Sequence, residues 1–212
     1  MEQRDPLFSD EPEDTQIAIL KATFDALAEH GYADLTIDRI GQYFPKSQGL
    51  IFYHYDGKDD LLIDLLDHLL ERFEQIGMPV SDEGDSETRL RSLFDQVIPE
   101  TSEQPDQKYE KVLIELRTQA AQDEEYQKCF NQSHDIFRES VQQIIQDGIE
   151  SGDFRETDPD LVADFLVTLV SGDIFERVTT GSRRSILSEL DNYIEYRLLA
   201  DKEHNEDELN NT

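Results

Sequence analysis

From Ile17 onward the apolar residues of this chain recur at spacings of three and four, and no stretch alternates apolar with polar as a half-buried strand would. Ile17, Leu20, Phe24 and Leu27 set the pattern. Side chains at those spacings share one face of a helix, so the chain must bury a series of apolar stripes against one another. That predicts an all-α fold. Helix-breaking and capping residues cut the stripes into about nine helices. Asp14 or Thr15 is placed to cap the first, and Gly31 stands just past its end. Thr36 opens a short second helix with Ile37 and Ile40 inward; Pro45 cannot continue it and pushes Phe44 out of the helical region. Ser47 is placed to cap a third helix running to Tyr55, and Gly57 breaks it. Leu61, Leu62, Leu65, Leu66, Leu69 and Phe73 mark a long fourth helix, ended by Gly77-Met78-Pro79. Leu90, Leu93, Phe94 and Val97 mark another, closed by Pro99, and Val112, Leu113 and Leu116 the next. A long stripe from Tyr126 through Ile145 ends near Gly152. Asp158-Pro159 is a strong restart, since Asp caps and Pro suits the first turn. The segment 161–178 is the most apolar of all; Gly181 ends it, and 186–199 forms the last helix.

The length, 212 residues, suits one compact core or two small ones. No apolar run approaches the roughly 18 residues that a membrane helix needs. The start, Met1-Glu2-Gln3-Arg4-Asp5-Pro6, has no signal-peptide pattern, and one cysteine cannot form an internal disulfide. A cytoplasmic protein is expected, with Cys129 as a small hydrophobe rather than a redox sensor. Forty-nine acids oppose nineteen bases, a net charge of -30. Self-repulsion on that scale destabilises a compact chain in dilute buffer, whereas at molar salt the Debye length falls to about 3 Å. The charge points to a halophilic source with a salt-rich cytoplasm. It also argues against nucleic acid as a partner, unless the acids are kept from one surface. Residues 36–58 meet that condition: Arg39, Lys46 and Lys58 against Asp38 and Asp56 give three minus two, or +1.

That same window holds a DNA-reading pattern. Three short helices, two joined by a tight turn, can lay the last into a major groove roughly 12 Å wide. In Ser47-Gln48-Gly49-Leu50-Ile51-Phe52-Tyr53-His54-Tyr55, Ile51 and Tyr55 are four apart and anchor the helix inward, leaving Gln48, Gly49, Leu50 and His54 to face outward. Glycine inside a helix costs about 1 kcal/mol against alanine, and close approach of backbone to DNA is a reason to keep it. The run from Ser47 through Asp56-Gly57-Lys58-Asp59-Asp60-Leu61-Leu62 resembles the signature of the TetR family of transcriptional regulators, and Gly31-Tyr32 and Leu35-Thr36 fall where that family has them. The resemblance is strong over 15–66. It implies that Thr36, Tyr53 and Lys58 bind phosphates, with Arg39 and Lys46 adding backbone contacts, and that Ser47 begins the reading helix. Gln48, Gly49, Leu50 and His54 would face base edges, with Gln48 able to read adenine and Leu50 a thymine methyl. Three residues depart from the family pattern: Phe52 lacks the usual tyrosine hydroxyl, Pro45 replaces a turn glycine, and Gln48 replaces a lysine.

The resemblance further implies a homodimer on a palindromic operator, because paired reading helices stand about 34 Å apart. It also implies a small-molecule effector, of unknown identity, held in the helical body. The expected organisation is a mobile arm over 1–13, a DNA-binding head over 14–57, a sensing and dimerisation body over 58–200, and a disordered acidic tail over 201–212. Leu69, Phe73, Phe94, Leu116, Phe130, Phe137 and Phe165 are the apolar candidates for an effector cavity, with Arg117 and His134 as polar ones. Leu161, Phe165, Leu169, Ile174, Ile186, Leu190, Tyr193 and Leu198 are the candidates for a four-helix dimer interface. The sequence holds no Gly-rich phosphate loop, no His-Glu-x-x-His and no Cys/His cluster, so neither an enzyme nor a cofactor or metal is expected. A protein of this fold acting only through protein partners is the other alternative, which the intact Thr36, Tyr53, His54 and Lys58 argue against.

Overall fold

A computed structural model describes Phe8 and residues 14–77, 84–98, 104–181 and 186–200. Among these residues the chain forms nine α-helices: α1 (Thr15–His30), α2 (Ile37–Tyr43), α3 (Gly49–His54), α4 (Lys58–Gly77), α5 (Ser86–Val97), α6 (Gln104–Gln119), α7 (Glu124–Ser151), α8 (Pro159–Thr180) and α9 (Leu187–Tyr193). The punctuation residues act as the sequence predicts. Asp14 caps α1 by accepting from Gln16 N–H, Thr36 caps α2 by accepting from Arg39 N–H, and Asp158 caps α8 by accepting from Asp160 and Leu161 N–H. Gly31, Gly152 and Gly181 end α1, α7 and α8 at positive φ.

Two elements differ from the sequence reading. The third helix starts at Gly49 and ends at His54, without a side-chain cap; Ser47 contributes its carbonyl, which accepts from Leu50 N–H at 2.9 Å. The last helix is not one α-helix through 199: after Tyr193 it widens into a π-helical turn, Ile194–Leu198. The widening goes with a clamp at the end of α7. Arg155 N–H donates to Leu198 O (2.7 Å), Ala200 N–H to Asp153 O (2.9 Å), and Phe154 pairs with Leu199 in an isolated antiparallel bridge. The Phe154 ring packs against Gly148 of α7, where a Cβ would stand 2.2 Å from it.

Two cores hold the molecule. The first gathers α1, Leu35, Ile40, Phe44, Ile51, Tyr55 and the Leu61–Leu70 stripe of α4, and it is floored by Val112 and Leu116 of α6 and Tyr126 of α7. The second joins α5, α7, α8, α9 and the π-helical turn through residues such as Leu90, Phe94, Ile144, Leu166, Leu190 and Leu198. Helix α7, 28 residues and so about 42 Å long, runs through both. The boundary at residue 57 therefore separates elements and not cores. Phe8, inside the segment expected to be a mobile arm, is buried in the first core, 5.6 Å from the Phe24 ring centroid and stacked on His68 at 5.1 Å. The expected tail over 201–212 lies outside the described residues.

Candidate nucleic-acid interface

Helices α2 and α3 are too short to hold themselves, and each is pinned to the first core at a few points. Ile40 anchors α2; Ile51 and Tyr55 anchor α3. The Tyr55 hydroxyl donates to Asp64 of α4, and burial together with that carboxylate raises its pKa. With Ile51 and Tyr55 inward, the outer side of α3 carries Phe52 (62 % exposed), Tyr53 (82 % exposed) and His54, the ring of His54 meeting the edge of Tyr53 at 5.3 Å. Two apolar or aromatic side chains this exposed beside buried neighbours mark a working surface rather than a packed corner.

The remaining site candidates are placed around this helix. Gly49 is exposed at its start, and Ser47 is exposed just before it. Gln48 is half-buried, its amide Nε2 donating to Asp38 Oδ1 of α2 at 2.8 Å. Leu50 is also half-buried and packs against the head core, which corrects the expectation that it faces outward. The cations are held in place. Lys46 Nζ donates to Thr15 Oγ1 at 3.0 Å, tying the turn to the start of α1. Lys58 sits at the start of α4, 4.3 Å above the Tyr32 ring centroid, and reaches the Tyr32 carbonyl at 3.4 Å. Arg39 pairs with Asp34 at 3.7 Å. Sequence reading missed Tyr43, exposed at the end of α2 and hydrogen-bonded to His30 Nε2 at 3.1 Å, and the Asp38 partner of Gln48.

The head is tied to the body through α6. Tyr32 N–H donates to Glu115 Oε2 at 2.6 Å, and Lys111 Nζ donates to Ala28 O at 2.8 Å. Farther along the same helix, Glu110 pairs with Arg177 of α8 at 2.5 Å, with Asp173 buried at 3.8 Å from the same guanidinium.

The effector-cavity candidates do not come together. Leu69, Leu116 and, at its edge, Phe130 belong to the first core, whereas Phe94 and Phe137 belong to the second. Arg117 and His134 are exposed, Arg117 lying 5.5 Å from the Phe130 ring, and Phe165 is exposed. The Phe73 side chain lies outside the described residues. The periodicity that selected these residues reports burial, and burial alone does not distinguish a packed core from a cavity wall.

The dimer candidates divide by burial too. Leu190 and Leu198 are buried in the chain's own second core, and Ile174, Ile186 and Tyr193 pack against it. Leu161, Phe165 and Leu169 are exposed along one side of α8, joined by Phe175 and, from the π-helical turn, Tyr196. Helical phase explains the miss: Phe175 is fourteen residues past Leu161 and returns to its face, and Ile174, one residue earlier, does not.

Comparison with known proteins places this architecture. The model of the bacterial regulatory proteins of the tetR family matches residues 19–65, and that of the C-terminal domain of BetI-type transcriptional repressors matches 86–186. A TetR transcription regulator from Haloarcula marismortui is 33% identical with a TM-score of 0.81, over 88% of this chain and 100% of that one. The chain belongs to the TetR family. Its members are DNA-binding transcriptional regulators, and α2 and α3 lie within the stretch that the tetR-family model matches. The transcriptional repressor AcnR of Corynebacterium glutamicum is 27% identical over 187 residues, covering 88% of this chain and 93% of its own. A transcriptional regulator from Saccharomonospora viridis, solved in complex with choline, shares the TetR fold at a TM-score of 0.76 and 21% identity, over 87% of this chain and 97% of that one. Among the described residues no helix is long and apolar enough to cross a membrane.

Proposed function

We propose that this protein is a homodimeric repressor that reads a palindromic operator through α3 and leaves or holds it in response to a small-molecule effector. One observation carries the reading: α3 turns Phe52, Tyr53 and His54 to solvent while Ile51 and Tyr55 fix it to the core. In this reading Tyr53, Lys58, Thr36, Lys46 and Arg39 hold phosphates and so set the register, and Gln48, Gly49 and His54 meet base edges. The exposed side of α8, with Leu161, Phe165, Leu169 and Phe175, supports pairing with a second copy, since an apolar face of this kind is costly in water. The choline complex of the S. viridis relative supports response to a small-molecule effector; in this reading the effector acts through α6, which meets the head at Tyr32.

A gel shift with the DNA upstream of the protein's own gene, run at high KCl, tests the reading. Tyr53→Ala and Lys58→Ala should each weaken the shift at least tenfold, Tyr53→Ala without lowering the melting temperature. In sedimentation, the native chain should run as a dimer and Phe165→Glu as a folded monomer. An unshifted operator region, or a monomeric native chain at micromolar concentration, would overturn the proposal. Native mass spectrometry of the purified protein should show the mass of a retained effector.

A further inference from the structure

Gln48 enters the candidate interface already oriented. A carboxylate only accepts hydrogen bonds, so the contact with Asp38 Oδ1 at 2.8 Å fixes which end of the Gln48 amide is nitrogen. One Nε2 hydrogen is spent on Asp38, and the side chain keeps Oε1 and the second Nε2 hydrogen. Its stem lies against Gly41 of α2, where a Cβ would stand 3.2 Å from Cδ and 3.3 Å from Cγ. An acid on a surface meant for phosphates works against binding by charge, so Asp38 calls for a compensating role.

The geometry points to Asp38 as a positioning residue for base selection: with Gly41 making room, it locks the Gln48 amide so that each half-site is read for an amino group in the major groove. The inference rests on the proposal that α3 lies in that groove. Adenine satisfies the locked amide twice, N6–H donating to Oε1 and N7 accepting the second Nε2 hydrogen. Cytosine satisfies it once, through N4–H. Guanine can accept the second Nε2 hydrogen at N7, but its O6 then stands against Oε1; thymine sets O4 against Oε1 with nothing gained, and the flip that would relieve it is opposed by Asp38.

Selection from a random duplex library at high KCl, with the full-length protein, tests this. The native chain should enrich adenine, then cytosine, at one position of each half-site, and Gln48→Ala should flatten that position alone. Asp38→Ala should reduce the preference there about tenfold, the size of one good base contact, and leave the other positions unchanged. Asp38→Asn, which can donate as well as accept, no longer forbids the flip and should lose part of the preference, while Gly41→Ala should erode it by displacing the stem. Asp38 also lies in the first turn of α2, where an acid favours the helix dipole. If Asp38→Ala lowers the melting temperature and weakens all sites equally, that role is the whole explanation and the inference is overturned. The same holds if the Asp38→Ala profile superimposes on the native one. Failure of the native chain to select any sequence would instead sink the proposed function, and this inference with it.

Discussion

Glu115 completes a turn that Gly31 opens. Gly31 leaves α1 at φ 75°, which aims Tyr32 N–H away from its own helix, and the Glu115 carboxylate accepts it. Cys129 is the opposite kind of residue, defined by what it is kept from. Burial, and then the hydrogen bond with Asp67, push its thiol up to about 12. A redox sensor needs an accessible thiolate, whereas half-buried Cys129 is held in its thiol form, in keeping with the small hydrophobe expected. At pH 8, iodoacetamide should label native Cys129 roughly a thousandfold more slowly than the guanidinium-unfolded chain, by the ratio of thiolate present. Equal rates would contradict the burial. The sign for stability follows: a thiol held above its unfolded value of about 8.5 favours the fold fully below that pH. The contribution is lost as pH rises from about 8.5 towards about 12.

At the scale of helices, the sequence was most informative where a residue has one physical use. Caps at Asp14, Thr36 and Asp158 and stops at Gly31, Gly152 and Gly181 fall where the sequence places them. The head was legible for the same reason, since Ile51 and Tyr55 fix α3 to the core and turn Phe52, Tyr53 and His54 to solvent, although Leu50, beside them in sequence, packs inward. What sequence could not supply is pairing between distant helices. Nothing in it joins Gln48 to Asp38, Glu115 to Tyr32 or Glu110 to Arg177. Nor does periodicity separate the exposed Phe165 from the buried Leu190, because both lie on apolar stripes. The Glu110–Arg177–Asp173 group joins α6 to α8 almost out of water. Arg177→Met would take this guanidinium from the buried Asp173 and from Glu110 beside it, and breaking a buried ion pair costs about 3–5 kcal/mol. Chemical denaturation of the Arg177→Met variant should show a loss of that order; a loss below about 1 kcal/mol would show that the group contributes little.

For the whole molecule, charge sets the working conditions. With a net charge of -30 the chain repels itself, and salt that shortens the Debye length relieves it. The thermal midpoint should rise steadily from 0.1 M KCl (Debye length about 10 Å) to 1 M (about 3 Å), as followed by circular dichroism. A flat or falling midpoint would refute adaptation to a salt-rich interior.

The shared first core bears on how such regulators could be recombined. The surface beneath α1 to α4 is completed by Val112, Leu116 and Tyr126, residues far along the chain from the helices they support. A head grafted onto the body of a relative would have to find matching shapes there, or sit over a gap. Exchange of DNA specificity between family members would then proceed more easily by changing side chains on the outer turns than by shuffling whole segments.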